Sequence, residues 1–152
     1  PKPPVGVAKG PGSRQELLKL FPNALKNRDQ WKLTASDKAE TTKLAVDGNA
    51  KTRYSTGKPM QPEMWVQVEL PEPTKISGLI LDTRSSRGDY AQTYGIRFSS
   101  DGVSWSKPIV GQGRTFDVIK FKPQAARFIK IVQLGAHRLY WSIHELDILG
   151  AK

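Results

Sequence analysis

Met64-Trp65-Val66-Gln67-Val68-Glu69-Leu70 is the stretch on which the fold turns. Val66, Val68 and Leu70 fall on one side of an extended chain, Gln67 and Glu69 on the other. That alternation predicts a strand with one face in a core and one in water. Pro71 and Pro73 are expected to end it, since neither can donate to a ladder. Working outwards, Trp31-Lys32-Leu33-Thr34-Ala35 alternates in the same way, Ile76–Leu81 is a further apolar segment, and Thr93–Ser99 alternates again. A polar loop is expected from Ser55 to Glu63. Asp101-Gly102 is a hairpin signal, because both residues tolerate positive φ, and Trp105 is expected to open the return strand. Arg114 to Phe121, Ala126 to Gln133 and Ile143 to Leu149 complete a set of about eight short strands, which argues an antiparallel β-sandwich or jelly roll. Trp31, Trp65 and Trp105 lie in or beside these strands and are expected in the core. Function in such folds sits in the loops at one end.

Ahead of the strands, residues 1–12 (PKPPVGVAKGPG) read as a linker. Ser13-Arg14-Gln15-Glu16 has the spacing of a capping box, with Ser13 capping and Glu16 reaching back. Leu17, Leu18, Leu20 and Phe21 give an apolar face until Pro22, and a second turn is expected from Asn23 to Asn27. Residues 13–30 are therefore a short helical preface that packs on a main domain of residues 31–150 or on a neighbour. The opening Pro1-Lys2-Pro3-Pro4, with no initiator Met, reads as a piece of a longer protein whose export signal lies elsewhere.

The 152 residues suffice for one domain with a proper core, and 38% hydrophobic with 25% charged residues is a globular composition. No apolar run approaches the roughly 20 residues that span a bilayer. The absence of cysteine excludes disulfides, zinc thiolate sites and Cys nucleophiles. With 2 histidines, no nucleophile-elbow motif and no carboxylate pair marked out by spacing, an enzyme is the weakest reading. Net charge is +10, dispersed along the chain. The surplus favours polyanions, namely sulfated or uronic polysaccharide, anionic lipid or nucleic acid, without choosing among them; a solubilising surface explains it equally.

Leu44-Ala45-Val46-Asp47-Gly48-Asn49-Ala50-Lys51-Thr52 carries the remaining chemistry. A tight turn offering the Asp47 carboxylate, the Thr52 hydroxyl and inward carbonyls can wrap a small hard cation. An ordinary turn between strands uses the same residues.

Read together, several pieces form an ordered pattern: Trp31 to Ser36; Ala45-Val46-Asp47-Gly48-Asn49 with Thr52; Trp65 to Leu70; Ile76 to Leu79; Phe98-Ser99-Ser100-Asp101-Gly102 with Trp105; Ala126 to Ile131; and Ser142-Ile143-His144-Glu145-Leu146 running to Gly150. This resembles the discoidin domains, also called coagulation factor V/VIII type C domains. The sugar-binding relatives form carbohydrate-binding module family 32, and the galactose oxidase N-terminal domain is similar. The resemblance implies an all-β fold, an eight-stranded antiparallel jelly-roll sandwich. It also implies a structural Ca2+ held by the Leu44 carbonyl, the Asp47 carboxylate, the Asn49 carbonyl, Thr52 through carbonyl and hydroxyl, the His144 carbonyl and Glu145.

In galactose-binding relatives a His, an Arg and an Asn next to an aromatic hold the sugar. The matching positions here are Ser55, Arg84 and Asp89, the last beside Tyr90. Losing the His and gaining an acid argues against simple galactose binding. Arg87, Lys58, His137, Arg138, Tyr140 and Trp141 complete the candidate surface, although Tyr140 or Trp141 could equally seal the sandwich end and Arg84 could pair with Asp82 or Asp89. Forked Arg donors suit carboxylate or sulfate and favour an acidic glycan. The expected function is a non-catalytic carbohydrate-binding module, monomeric within a larger secreted or surface protein. The alternative is a protein- or anionic-phospholipid-binding adhesion module using Met60 and Leu139-Tyr140-Trp141 as apolar tips. Nucleic acid is disfavoured because the charge is dispersed rather than striped.

Overall fold

A computed structural model describes residues 10–151, so the expected linker lies, for residues 1–9, outside the described residues. The helix of the preface, α1 (Arg14–Leu20), is capped by Ser13, whose side chain accepts from the Glu16 N–H at 3.1 Å. Glu16 reaches back one residue further than the capping-box spacing predicts and accepts from the Gly12 N–H. The second turn at Asn23–Asn27 does not become a helix. Instead Ala24 bridges to Leu149, the Leu25 N–H donates to the Ile148 carbonyl, and a 3-10 turn follows at Arg28–Gln30. Leu17 and Ala24 close a small apolar cluster with Ile80 and Leu149, so the preface packs on the main domain.

Eight strands follow: β1 (Lys32–Ala35), β2 (Tyr54–Met60), β3 (Met64–Asp82), β4 (Thr93–Ser99), β5 (Ile109–Gln112), β6 (Phe116–Gln133), β7 (His137–Ile143) and β8 (Glu145–Gly150). The alternation of Met64–Leu70 holds, with Val66 and Val68 sealed inside. The first half of β3 pairs with β1 on one side and with the second half of β6 on the other; β4 and β5 extend that sheet. The second halves reverse roles: Gly78–Asp82 lies between β8 and the start of β6, forming the opposite layer. Ile96, Ile129 and Ile131 of one layer meet Leu79, Leu146 and Ile148 of the other in a single apolar core. The β2–β7 ribbon closes one end, with Tyr54 and Trp141 turned inwards as a T-shaped pair at 6.4 Å.

Four expectations about the strands are corrected. Pro71 and Pro73 do not end the strand, because they sit exposed at a register break between Glu69 and Thr74, where no ladder N–H is required. The same economy lets Arg114–Phe121 and Ala126–Gln133 merge into β6 around Pro123. The segment expected as a polar loop after Ser55 is largely β2, which carries too few apolar residues to alternate visibly, and His137–Ile143 is β7, where Leu139, Tyr140 and Trp141 follow one another without alternation. Trp105 opens no strand; it rides on a tight turn, and the return strand starts at Ile109. The Trp residues also divide. Trp31 is core as expected, whereas Trp65 and Trp105 lie on the outer side of the large sheet, half-buried. Met60, the expected apolar tip, is fully buried.

Ile131 is sealed in the core and Leu20 is 63% exposed on α1. Ile131→Ala should cost about 2–5 kcal/mol in urea unfolding, and Leu20→Ala within about 0.5 kcal/mol.

Candidate functional site

The turn after Ala45 is built as a pocket of oxygen atoms. The Thr52 hydroxyl donates to Asp47 and lies 3.0 Å from the Asn49 carbonyl, while the Asn49 N–H donates to the other Asp47 oxygen at 3.0 Å. Glu145, at the start of β8, reaches in from 97 residues away and accepts from the Gly48 N–H at 3.1 Å. The carboxylates of Asp47 and Glu145 thus face one another. Such a set of carboxylates, hydroxyl and carbonyls is the donor chemistry of a hard divalent cation. Among the described residues no cluster of three or more His, Cys, Asp or Glu is placed to hold a metal, so an ion here would rest largely on backbone and hydroxyl oxygen.

The electrostatics of the pair follow from burial. Desolvation pushes Glu145 up to about 7 against the pull of Arg28, whose guanidinium sits 2.8 Å away; sharing with Asp47 pushes the same way. Burial also opposes ionisation of Asp47, but hydrogen bonds from Thr52 and Asn49 outweigh it and hold the carboxylate below its ordinary range.

His144 connects this turn to the neighbouring loops. One ring nitrogen lies 2.7 Å from the Ala50 carbonyl and the other 2.7 Å from the Ser86 hydroxyl. The ring is fully engaged in bolting the two segments together, so a metal could use only the backbone of this residue. Ser86 in turn accepts from Arg53 at 2.7 Å, and Arg53 pairs with Asp89 at 3.4 Å. Asp89 accepts from the Ser142 hydroxyl at 2.9 Å, and Ser142 lies directly opposite Ser55 in the β2–β7 ribbon. Tyr140, 42% exposed, is on the same face of β7 two residues earlier. Arg53 keeps its side chain 43% in solvent. A polar rim with an aromatic beside it results.

Of the sequence-derived candidates, Ser55, Asp89 and Tyr140 come together on this rim, with Arg87 exposed and Tyr90 half-buried in the loop beside it. Arg84 does not join them. Its guanidinium grips both oxygens of Asp82, donates to the Pro11 carbonyl at 2.7 Å and stacks on Phe116, which commits it to the N-terminal junction. Trp141 is 1% exposed and is a core residue that no ligand can reach. Lys58 pairs with Asp37 at 2.6 Å, and His137 accepts from the Leu139 N–H towards the far end of the ribbon. Arg53 was missed in the sequence. Its only signal there is its place just before β2, and a lone Arg in a polar stretch does not stand out.

In the folded chain Glu145 holds its proton up to about 7, against an ordinary value of 4.5. Between those values the folded state binds more protons, so stability falls as pH rises through that window. In chelator, the thermal midpoint should therefore drop from about pH 5 to about pH 7.5, and Glu145→Gln should flatten that slope.

The F5/8 type C domain model matches residues 30–146. No curated protein matches the chain. Solved carbohydrate-binding modules share the fold. CpGH89CBM32-5 from Clostridium perfringens, in complex with GalNAc-β-1,3-galactose, is 23% identical with a TM-score of 0.71, over 84% of this chain and 99% of its own. The family 32 module of C. perfringens NanJ, in complex with galactose, is 20% identical with a TM-score of 0.68, over 83% and 97%. The family 32 module of AlyQ, in complex with 4,5-unsaturated mannuronic acid, is 24% identical with a TM-score of 0.63, over 78% and 94%. The sandwich, its bolted end loops and the family match over residues 30–146 have one meaning: the chain belongs to the F5/8 type C, or discoidin, domain family.

Proposed function

We propose that this chain is a non-catalytic carbohydrate-binding module that holds a glycan at the rim formed by Arg53, Ser55, Arg87, Asp89 and Tyr140. The observation that carries this reading is the meeting of Arg53, Asp89 and the Ser55–Ser142 pair beside an exposed tyrosine. A sugar needs a flat apolar contact for its C–H face and fixed polar groups for its hydroxyls. The tyrosine supplies the first. Asp89 and Arg53, held by their own hydrogen bonds, supply the second at little further cost in ordering. Arg53 and Arg87 can also meet a carboxylate, which favours a uronic or otherwise acidic sugar. The AlyQ module, captured with an unsaturated uronic acid on the same fold, supports that preference.

A structural Ca2+ belongs to the same proposal. Asp47, the Asn49 carbonyl, Thr52 and Glu145 would hold it, with the Leu44 and His144 carbonyls beside them. The ion would supply charge that balances the two facing carboxylates and stiffen the turn which His144 bolts to the rim. As a module of a larger exported or surface protein, the chain would raise the local concentration of its partner domains on a polysaccharide.

On an array of neutral, uronic and sulfated glycans, binding should concentrate on acidic sugars, and Arg53→Ala should weaken it by about 10-fold or more, as expected for a lost charged hydrogen bond. Unchanged affinity in Arg53→Ala would move the site off this rim. Added calcium should raise the thermal midpoint of the wild type but not of Asp47→Ala. A wild-type midpoint that ignores both calcium and chelator would refute the ion.

A further inference from the structure

The outer face of the large sheet carries a second set of groups unrelated to the rim. Val66, Val68, Ile129, Ile131 and Ile96 point into the core, so Trp65, Gln67, Lys130 and Arg97 point away from it. Register places Thr34 opposite Gln67, Gln67 opposite Lys130, and Lys130 opposite Arg97. This is one row across four strands: a hydroxyl, an amide, an ammonium and a guanidinium. With strands about 4.8 Å apart the row is roughly 14 Å long.

Aromatic rings flank it. The Lys130 ammonium lies 5.0 Å from the centre of the Trp65 ring and 4.4 Å from that of Trp105, so both indoles gather about one cation. Trp105 is held there by its turn. The Val103 and Ser104 N–H groups donate to Asp101, the Ser106 N–H donates to the Phe98 carbonyl, and the Trp105 ring meets Phe128 edge-on at 6.5 Å. Gly102, at φ 78°, lets that turn lie against the Phe128 ring, where a Cβ would come within 3.2 Å. In the adjacent row Lys32 stands opposite Glu69, which is paired with Arg127 at 3.4 Å. Lys130, Arg97 and Lys32 leave the face positive.

We propose that this face is a second binding site, for an extended uronic-acid polysaccharide. The indoles offer stacking surfaces for pyranose rings, Lys130 and Arg97 meet carboxylates, and Thr34 and Gln67 meet hydroxyls. A row mixing neutral and cationic partners fits a polymer that carries hydroxyls beside each carboxylate. It fits a nucleic acid less well, since a phosphate on every nucleotide calls for a denser cationic track. The site rests on the glycan-binding reading of the chain but uses none of the rim residues, which lie on the β2–β7 ribbon and the adjoining loops.

The test is affinity electrophoresis of the whole chain through gels containing polygalacturonate, with Trp65→Ala, Trp105→Ala, Lys130→Gln and the rim variant Arg53→Ala. Thermal midpoints within a few degrees of wild type establish that the outer-face variants fold. The wild type should be retarded, Trp65→Ala and Trp105→Ala should each lose affinity roughly tenfold, Lys130→Gln should lose it and its salt dependence, and Arg53→Ala should keep the retardation it owes to this face. Retardation of the Trp variants equal to wild type, or its abolition by Arg53→Ala alone, would overturn the second site while leaving the rim reading in place. A wild type that ignores polygalacturonate but binds single-stranded DNA or anionic vesicles through the same tryptophans would overturn it in favour of another polyanion.

Discussion

The order of the loops at one end of this domain depends on how two acids are kept inside it. Glu145 and Asp147 point from β8 with side chains only 9% and 1% exposed. Carboxylates removed from water are costly unless they are paired and hydrogen-bonded. The partners come from the preface: Arg14 takes both oxygens of Asp147 at 2.7 and 2.8 Å, and Arg28 takes Glu145 at 2.8 Å. The preface is therefore part of the domain's electrostatics. Without the Arg14 guanidinium the Asp147 carboxylate would be a buried charge stripped of its bidentate partner. Among the described residues no buried side-chain nitrogen or oxygen lacks a partner, so the arrangement closes.

From that anchor, order passes outwards through specific contacts. Glu145 holds the Gly48 N–H and so fixes the turn that carries Asp47, Asn49 and Thr52. His144, its chain neighbour, ties the Ala50 carbonyl to Ser86, and Ser86 meets Arg53 at the rim. A rim placed this way would lose little freedom on meeting the proposed glycan, which is where a shallow site gains affinity. The turn that would hold an ion and the surface that would hold a sugar are thus two ends of one hydrogen-bonded chain.

The sandwich also presents its aromatic residues in two ways. Tyr54 and Trp141 fill the end of the core, while Trp65 and Trp105 stand outside the large sheet around Lys130. Seen from composition, the tryptophans are alike. Trp65 is placed by strand parity, since it precedes Val66 and an inward valine forces its neighbour outward, whereas Trp105 is placed by the turn that carries it.

The sequence by itself determined the strand character of Met64–Leu70 and Thr93–Ser99, the helix cap at Ser13, the turn at Asp47–Asn49 and the positive-φ turn at Gly102, and the gathering of Asp47 with Glu145 through family resemblance. These are local patterns, set by side-chain period and backbone sterics, or a whole pattern matched in order. Only the tertiary structure decided that the chain runs straight past Pro71 and Pro73, that two segments without a visible alternation pair as β2 and β7, and that Arg53 rather than Arg84 joins Asp89. Each of those outcomes turns on a partner distant in sequence. A ladder needs a second strand, and a guanidinium goes to whichever carboxylate the fold sets beside it, which no local period encodes.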